Sequence, residues 1–306
     1  MSNVYNPSPS TFHALTNKVI VISGGANGIG AATVRHLASS GARVVFGDSD
    51  SAAGTALTQS INSPTRVLFV PVDVTNYADH LTLFRTALER FGRVDHAVAV
   101  AGVGERGDWF GTGLGVKDVE QLPTDATVRV NLLGVMYFVR VGLAYLREGR
   151  SEGEDRSVVM IGSAAGFRES PGLPVYQATK HAVQGLMRSL RKPLLEREGI
   201  RINVVCPGMT ESAMTDGIVQ HYRREGLAVN VPDDLAVTTL GLLVDGSMAG
   251  KAIYVEGGQG WEFEDGLKDT MPQWLGEGPT ERLWEALRFV DKGDAWSFMQ
   301  GQQTGT

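Results

Sequence analysis

The chain has 306 residues, and 28 lysines and arginines against 34 aspartates and glutamates give a formal net charge of -6, which argues against a nucleic-acid partner because phosphate binding needs a basic face. Hydrophobic residues make up 42% of the chain at a mean hydropathy of -0.06, enough for a globular core. There is no run of 18 uncharged apolar residues, no apolar signal core near the N-terminus and only one cysteine, Cys206, so no membrane span is expected and a reducing cytoplasmic location is.

Residues 1–17 are polar and read as a flexible N-terminal arm. An apolar run at 18–23 (KVIVIS) then leads through the glycine turn GGANGIG at 24–30 into a helix-like stretch. Further strands are expected at 42–48, 66–74 and 94–102. Between the last two lies a helix with Leu81, Phe84, Leu88 and Phe91 on one face. A helix around 124–148, a strand at 157–163, a helix at 174–198, a strand at 201–208, a helix from Pro232 to Val244 and a strand at 251–258 close the series. Seven strands rich in valine and isoleucine, alternating with helices, predict an α/β fold: a doubly wound, parallel, seven-stranded sheet in one domain over 18–258. Residues 259–306 are expected to be a C-terminal extension with one short helix carrying Leu283, Leu287 and Val290 on a face.

Glycine is in excess, 38 of 306 residues, with no collagen-like period. The most informative cluster is Ser23-Gly24-x-x-x-Gly28-x-Gly30 between a strand and a helix. A dinucleotide pyrophosphate needs free backbone N–H groups at the positive end of a helix and no side chain in its path, which this arrangement supplies. Asp48 ends the second strand, where a carboxylate accepts from both adenosine ribose hydroxyls and repels a 2′-phosphate, so NAD is favoured over NADP. The blander role for Asp48 is to cap the next helix. Asp73 ends the third strand and is either an adenine contact or a turn former.

Tyr176-x-x-x-Lys180 falls at helical spacing downstream of Ser163, which sits at a strand end. A tyrosine needs a neighbouring positive charge to act as a base at neutral pH, and an ammonium one turn away supplies it. Ser163 is placed to hold a substrate oxygen, and Asn131, on the preceding long helix, to link the lysine to solvent through water. The six histidines include no pair at i, i+3 or i+4, so no metal site is expected.

Taken together, these residues resemble the short-chain dehydrogenase/reductase family over about residues 18–258. The resemblance implies a Rossmann-like fold and a catalytic tetrad of Asn131, Ser163, Tyr176 and Lys180, with Tyr176 as general acid/base, Lys180 lowering its pKa and bonding the nicotinamide ribose, and Ser163 positioning the alcohol or carbonyl. It implies a cofactor path along Ser23, Gly24, Asn27, Gly28, Ile29, Gly30, Asp48, Asp73, Val74, Ala101, Gly102, Asn131, Tyr176, Lys180, Pro207, Gly208 and Ser212. The chain departs from the family where Asn-Asn-Ala-Gly is usual and Ala99-Val100-Ala101-Gly102 stands instead, which predicts a looser strand end.

The stretches VYQATKHAVQGLMRSL and RINVVCPGMTESAM are similar to NAD-linked hydroxyprostaglandin dehydrogenase-like members. That likeness implies a lipophilic secondary alcohol or ketone as substrate, and the family resemblance implies a homodimer or homotetramer built from helices flanking 124–148 and 174–198. The substrate pocket is expected from 103–120, 163–175 and a lid at 209–231. Phe167 is expected to contact substrate, and Arg223 and Arg224 are candidates for a substrate carboxylate. Two other functions are compatible with a dinucleotide site: an NAD(H)-sensing binding protein without turnover, and an isomerase or dehydratase that uses NAD transiently.

Overall fold

The computed structural model describes residues 3–291, apart from the side chains of 290 and 291. Seven strands lie where hydrophobic runs place them: β2 (Val19–Ser23), β3 (Arg43–Asp48), β4 (Val67–Pro71), β5 (His96–Ala99), β6 (Arg156–Ile161), β7 (Ile200–Pro207) and β8 (Ala252–Glu256). All are mutually parallel. Two short strands, β1 (Val4–Tyr5) and β9 (Gln259–Glu262), extend the sheet antiparallel beside β8. The full order is β1-β9-β8-β7-β6-β5-β2-β3-β4. The sheet therefore has nine strands rather than seven, because β8 and β9 form a hairpin and β1 pairs with β9.

These pairings correct both expected boundaries. Residues 1–17 are not a loose arm over their described part: β1 is in the sheet, and Phe12 and Leu15 are buried in the core from a 3-10 turn at Pro9–Leu15. The core unit runs to Glu262, four residues beyond the expected end at 258, and a separate unit begins at Phe263. Among its described residues that second unit holds three helices rather than one, α9 (Glu264–Asp269), α10 (Met271–Leu275) and α11 (Glu277–Asp291). Leu283 and Leu287 are exposed on α11, and the side chain of Val290 lies outside the described residues.

Both faces of the sheet are covered, so its central strands carry no polar alternation: β2, VIVIS, is buried at every position. On one face α1 (Gly28–Ser39) packs against α8 (Pro232–Val244), which starts at Pro232 as expected. On the other, α3 (Tyr77–Phe91) packs against α5 (Val135–Arg147), and α6 (Pro174–Glu198) lies on β7. Each fully enclosed valine or isoleucine contributes roughly 1.5–3 kcal/mol relative to exposure.

The buried face of α3 is His80, Leu83, Phe84 and Ala87. Of the predicted stripe only Phe84 is in it; the helix is rotated because Gly142 of α5 admits the Phe84 ring edge-on, and Phe138 tilts against it at 5.0 Å. The third strand stops at Pro71 instead of 74, since the Asp73 N–H turns to Asp79 and Asp73 accepts from Thr75. The run Ala126–Arg147 comprises α4 (Ala126–Val128), a π-helical segment at Arg129–Gly134 and α5. It is long and apolar enough to cross a membrane, but α5 is a sheet-covering helix against β5 and β6. The remaining helices are α2 (Ser51–Ile61), beside β4, and α7 (Asp216–Arg224), inside the expected lid.

Candidate active site

Strand order reverses between β2 and β5, and at that point the carboxyl ends of a doubly wound sheet leave a crevice. A cleft of about 440 Å³ lies there. Gly24, Asn27, Gly28, Ile29, Gly30, Asp48, Asp73, Val74, Ala101, Gly102, Pro207, Gly208 and Ser212 line it, together with Ser163, Tyr176 and Lys180. Asp48 ends β3 and Ser163 follows β6, three strand spacings or about 14 Å apart, a span suited to an extended dinucleotide.

The glycine turn is built for backbone approach. A Cβ on Gly30 would sit 1.8 Å from the Gly24 carbonyl oxygen, so α1 can begin there only with glycine. Gly28 has φ +48, a conformation that favours glycine, and a Cβ on it would lie 3.9 Å from the Cβ of Ser212 across the cleft. Asn27, the N-cap of α1, makes no side-chain cap hydrogen bond. The first-turn N–H groups are thus left for a ligand, the arrangement that binds phosphate at a helix N-terminus. The residues present fit a dinucleotide.

Asp48 accepts from the Ala26 N–H at 2.9 Å and from the Asp50 N–H at 3.0 Å. Those bonds aim the carboxylate and do not cap α2, whose N-cap is Asp50. The cleft lining contains two aspartates, Asp48 and Asp73, and a single basic residue, Lys180.

Ser163 is the N-cap of a 3-10 turn at Ala164–Gly166, and its hydroxyl accepts from the Ala165 N–H at 3.1 Å. Gly166 lets that turn lie directly on α6, since a Cβ there would meet the Lys180 carbonyl oxygen at 2.8 Å. This close approach brings Ser163 to Tyr176. Burial pushes the Tyr176 hydroxyl above its ordinary pKa, and the hydrogen bond with Ser163 opposes the rise. Lys180 is enclosed; burial brings its pKa down to about 8, and Nζ donates to the Ile161 carbonyl oxygen at 3.0 Å. The ammonium stands 5.6 Å from the centre of the Tyr176 ring.

Two expected contacts lie outside the cleft. Ser23 is buried beneath it, and its carbonyl oxygen accepts from the N–H groups of Val100 and Ala101. Asn131, in the π-helical segment, is fully buried, with Oδ1 accepting from the Val103 N–H and Nδ2 donating to the Val103 carbonyl, each at 2.8 Å. Its side-chain amide clamps the segment leaving β5. Thr127 adds a hydrogen bond to the Gly104 carbonyl. Ser23 thus holds the backbone at Val100 and Ala101, and Asn131 and Thr127 hold Val103 and Gly104 beyond it.

Beyond the tetrad, Phe167 is not in the lining; it meets Tyr254 edge-on at 5.6 Å. Arg223 pairs with Glu211 within the lid, which removes it as a free anchor for a carboxylate. Sequence reasoning did not single out Val103, Met214 and Thr215, which also line the cleft. Met214 and Thr215 lie in a polar stretch with no periodicity, and they reach the cleft because Thr215 Oγ1 donates to the Thr210 carbonyl and folds the loop back.

Residues 18–223 match the family model described as short chain dehydrogenase. A short-chain dehydrogenase/reductase (ascJ) of Acremonium egyptiacum is 33% identical over 255 residues, 83% of either chain. The mouse protein named 15-hydroxyprostaglandin dehydrogenase [NAD(+)] is 27% identical, with 82% of this chain and 94% of the relative covered. Among solved structures, a 3-ketoacyl-(acyl-carrier-protein) reductase from Brucella melitensis complexed with NADH superposes with TM-score 0.69 at 27% identity, covering 80% of this chain and 98% of that one. A glycine turn, a carboxylate at the end of β3 and a serine–tyrosine–lysine cluster in one crevice, in a chain matched along this length, place the protein in the short-chain dehydrogenase/reductase family, whose members are oxidoreductases of alcohols and ketones that use nicotinamide cofactors.

Proposed function

We propose that this protein is an NAD(H)-dependent oxidoreductase acting on a lipophilic secondary alcohol or the corresponding ketone, with Tyr176 as general acid/base. The observation that carries this reading is the convergence of Ser163, Tyr176 and Lys180 in the cleft that Asp48 also lines. A bound nicotinamide dinucleotide supplies the hydride acceptor for oxidation and the donor for reduction. In oxidation Ser163 holds the substrate oxygen while the Tyr176 oxygen takes the hydroxyl proton; in reduction Tyr176 returns it. Lys180, when charged, and the positive ring of an oxidised nicotinamide would both favour the tyrosinate that burial disfavours.

The choice of NAD rests on Asp48. A 2′-phosphate would meet this carboxylate with Lys180 as the one basic side chain in the cleft lining. The lipophilic assignment rests on the walls Val103, Val130, Ala213 and Met214. We further propose a homodimer or homotetramer through the exposed sides of the helices within 124–148 and 174–198, where Met136 and Leu195 stand outward. A cytoplasmic location is proposed because the chain has a single cysteine, the buried Cys206, and so can form no internal disulfide.

The test is a panel of aliphatic and aryl secondary alcohols and their ketones, assayed with NAD(H) and NADP(H) at the reduced-cofactor absorbance band. Turnover with NAD(H) that exceeds that with NADP(H) supports the reading. Dinucleotide binding with no turnover of any substrate favours the non-catalytic sensor instead.

A further inference from the structure

Helix α6 carries both Tyr176 and Lys180, and its first turn cannot be capped locally. The N-cap is Leu173, which has no side-chain oxygen, and Pro174 follows it without an N–H. The Gln177 N–H makes the first helical bond, to the Leu173 carbonyl. Two orphan donors remain, the N–H groups of Val175 and of Tyr176 itself.

Both are taken by one carboxylate about 70 residues away in the chain. Glu105 accepts from the Tyr176 N–H at 2.7 Å through Oε2 and from the Val175 N–H at 3.3 Å through Oε1. Charge-assisted bonds to a helix N-terminus are among the stronger ones available to a backbone, and the helix dipole adds to them. Glu105 does not hang from a free loop. It follows Val103, clamped on both backbone groups by Asn131, and Gly104, held by Thr127. The backbone from Val103 in the cleft lining, anchored by Asn131 and Thr127, thus leads directly to Glu105 and through its carboxylate to the backbone of Tyr176.

We propose that Glu105 is a positioning residue. By capping α6 from the segment that leaves β5, it fixes the Tyr176 phenol against Ser163 and against the cleft wall. The proposal rests on the reading of Tyr176 as the proton carrier. It also accounts for an acidic side chain in a segment where Ala99-Val100 makes no side-chain ties of its own.

The full-length chain with Glu105→Ala, Glu105→Asp, Glu105→Gln and Tyr176→Phe, assayed on the best alcohol of the panel, tests it. Glutamine keeps the reach and one acceptor oxygen, whereas aspartate keeps the charge and loses the reach. Because a small misplacement of a reacting group is costly, Glu105→Ala should lose about 10-fold or more in kcat, Glu105→Asp should fall between, and Glu105→Gln should recover to within about 3-fold of the parent. The KM for NAD and the Kd for NADH should stay within about 2-fold in all three, since the dinucleotide turn is untouched.

Hydrogen exchange of the peptide covering 174–178 supplies a readout that needs no substrate. It should accelerate in Glu105→Ala and Glu105→Asp and stay near parental in Glu105→Gln. Parental kcat and exchange in Glu105→Ala overturn the proposal. If Glu105→Ala does not fold, Glu105→Asp matching or exceeding Glu105→Gln overturns it. An inactive Tyr176→Phe beside a fully active Glu105→Ala refutes only the positioning role, whereas a fully active Tyr176→Phe refutes the assignment of Tyr176 on which it rests.

Discussion

Lys180 donates from Nζ to the main-chain carbonyl oxygen of Ile161 at 3.0 Å, and that bond holds an ammonium inside the protein where burial has brought its pKa down to about 8. Below pH 8 the folded state bears the cost of an enclosed charge. Above it the folded lysine releases its proton while the unfolded lysine keeps one up to 10.5, so stability rises with pH across that window. Lys180→Met removes the buried charge with little change of shape. In the absence of dinucleotide it should raise stability at pH 7 by up to about 3 kcal/mol, less about 1 for the lost bond to Ile161, while abolishing turnover. Thermal melts from pH 7 to 10 check this: the advantage of the variant should shrink as pH rises, and a gap independent of pH would contradict it.

His96 titrates in the opposite part of the scale. It is fully enclosed in β5, with Nδ1 at 2.8 Å from Ser157 Oγ, and burial holds its pKa down to about 4 against an ordinary 6.5. Asp155 and Asp95 oppose that shift, and Arg201 and Lys18 reinforce it. Between pH 6.5 and 4 the unfolded chain binds the extra proton, so stability must fall as pH falls, by up to about 3 kcal/mol from this group. His80, also lowered by burial, contributes in the same direction. Urea midpoints at pH 7, 5.5 and 4.5 should decline for the parent and decline less for His96→Gln; parallel declines would show that His96 is not responsible.

The strand end around Ala99 makes a prediction opposite to the one the sequence suggests. Restoring the family asparagine by Ala99→Asn would seem to add a missing tie. Ala99 is only 2% exposed, however, and the adjoining backbone is already bonded to Ser23 and, further on, to Asn131. An amide forced into that site without partners should destabilise the fold by about 1–3 kcal/mol. A higher melting temperature in Ala99→Asn would show that the strand end does lack support.

How much of this was legible in the sequence follows from the range of the interactions. The seven parallel strands, the start of α8 at Pro232 and both ends of α6 are local matters of apolar runs, proline and a terminal glycine, and they lie where expected. So do Ser163, Tyr176 and Lys180, whose spacing along the chain reflects one strand end and one helical turn. The failures share a cause. β1 joins the sheet only because residues 4–5 and 260–261 meet, more than 250 positions apart in sequence, β9 is the short second arm of a hairpin with β8, and neither segment has the apolar run that marks a buried strand. The clamp of Asn131 on Val103 and the Glu105 cap are likewise set by pairings between separate segments.

Cofactor preference isolates the role of Asp48. Two backbone N–H groups orient its carboxylate at the end of β3. Asp48→Ala should raise the KM for NAD by about 10-fold and narrow the gap to NADP, because ribose bonding is lost and repulsion of a 2′-phosphate is relieved. Steady-state kinetics with both cofactors decide it; an unchanged preference would remove Asp48 from the ribose site.

The central claim is that Tyr176 carries the proton in a nicotinamide-dependent oxidation or reduction, and Tyr176→Phe tests it with the fewest assumptions. The phenylalanine keeps the packing of a largely enclosed ring and removes only the hydroxyl that meets Ser163. NADH binding by fluorescence should remain within about 2-fold of the parent, while kcat on the best alcohol of the panel should fall by at least about 100-fold, the scale of general acid–base catalysis. Turnover at the parental rate with NADH still bound would contradict the account.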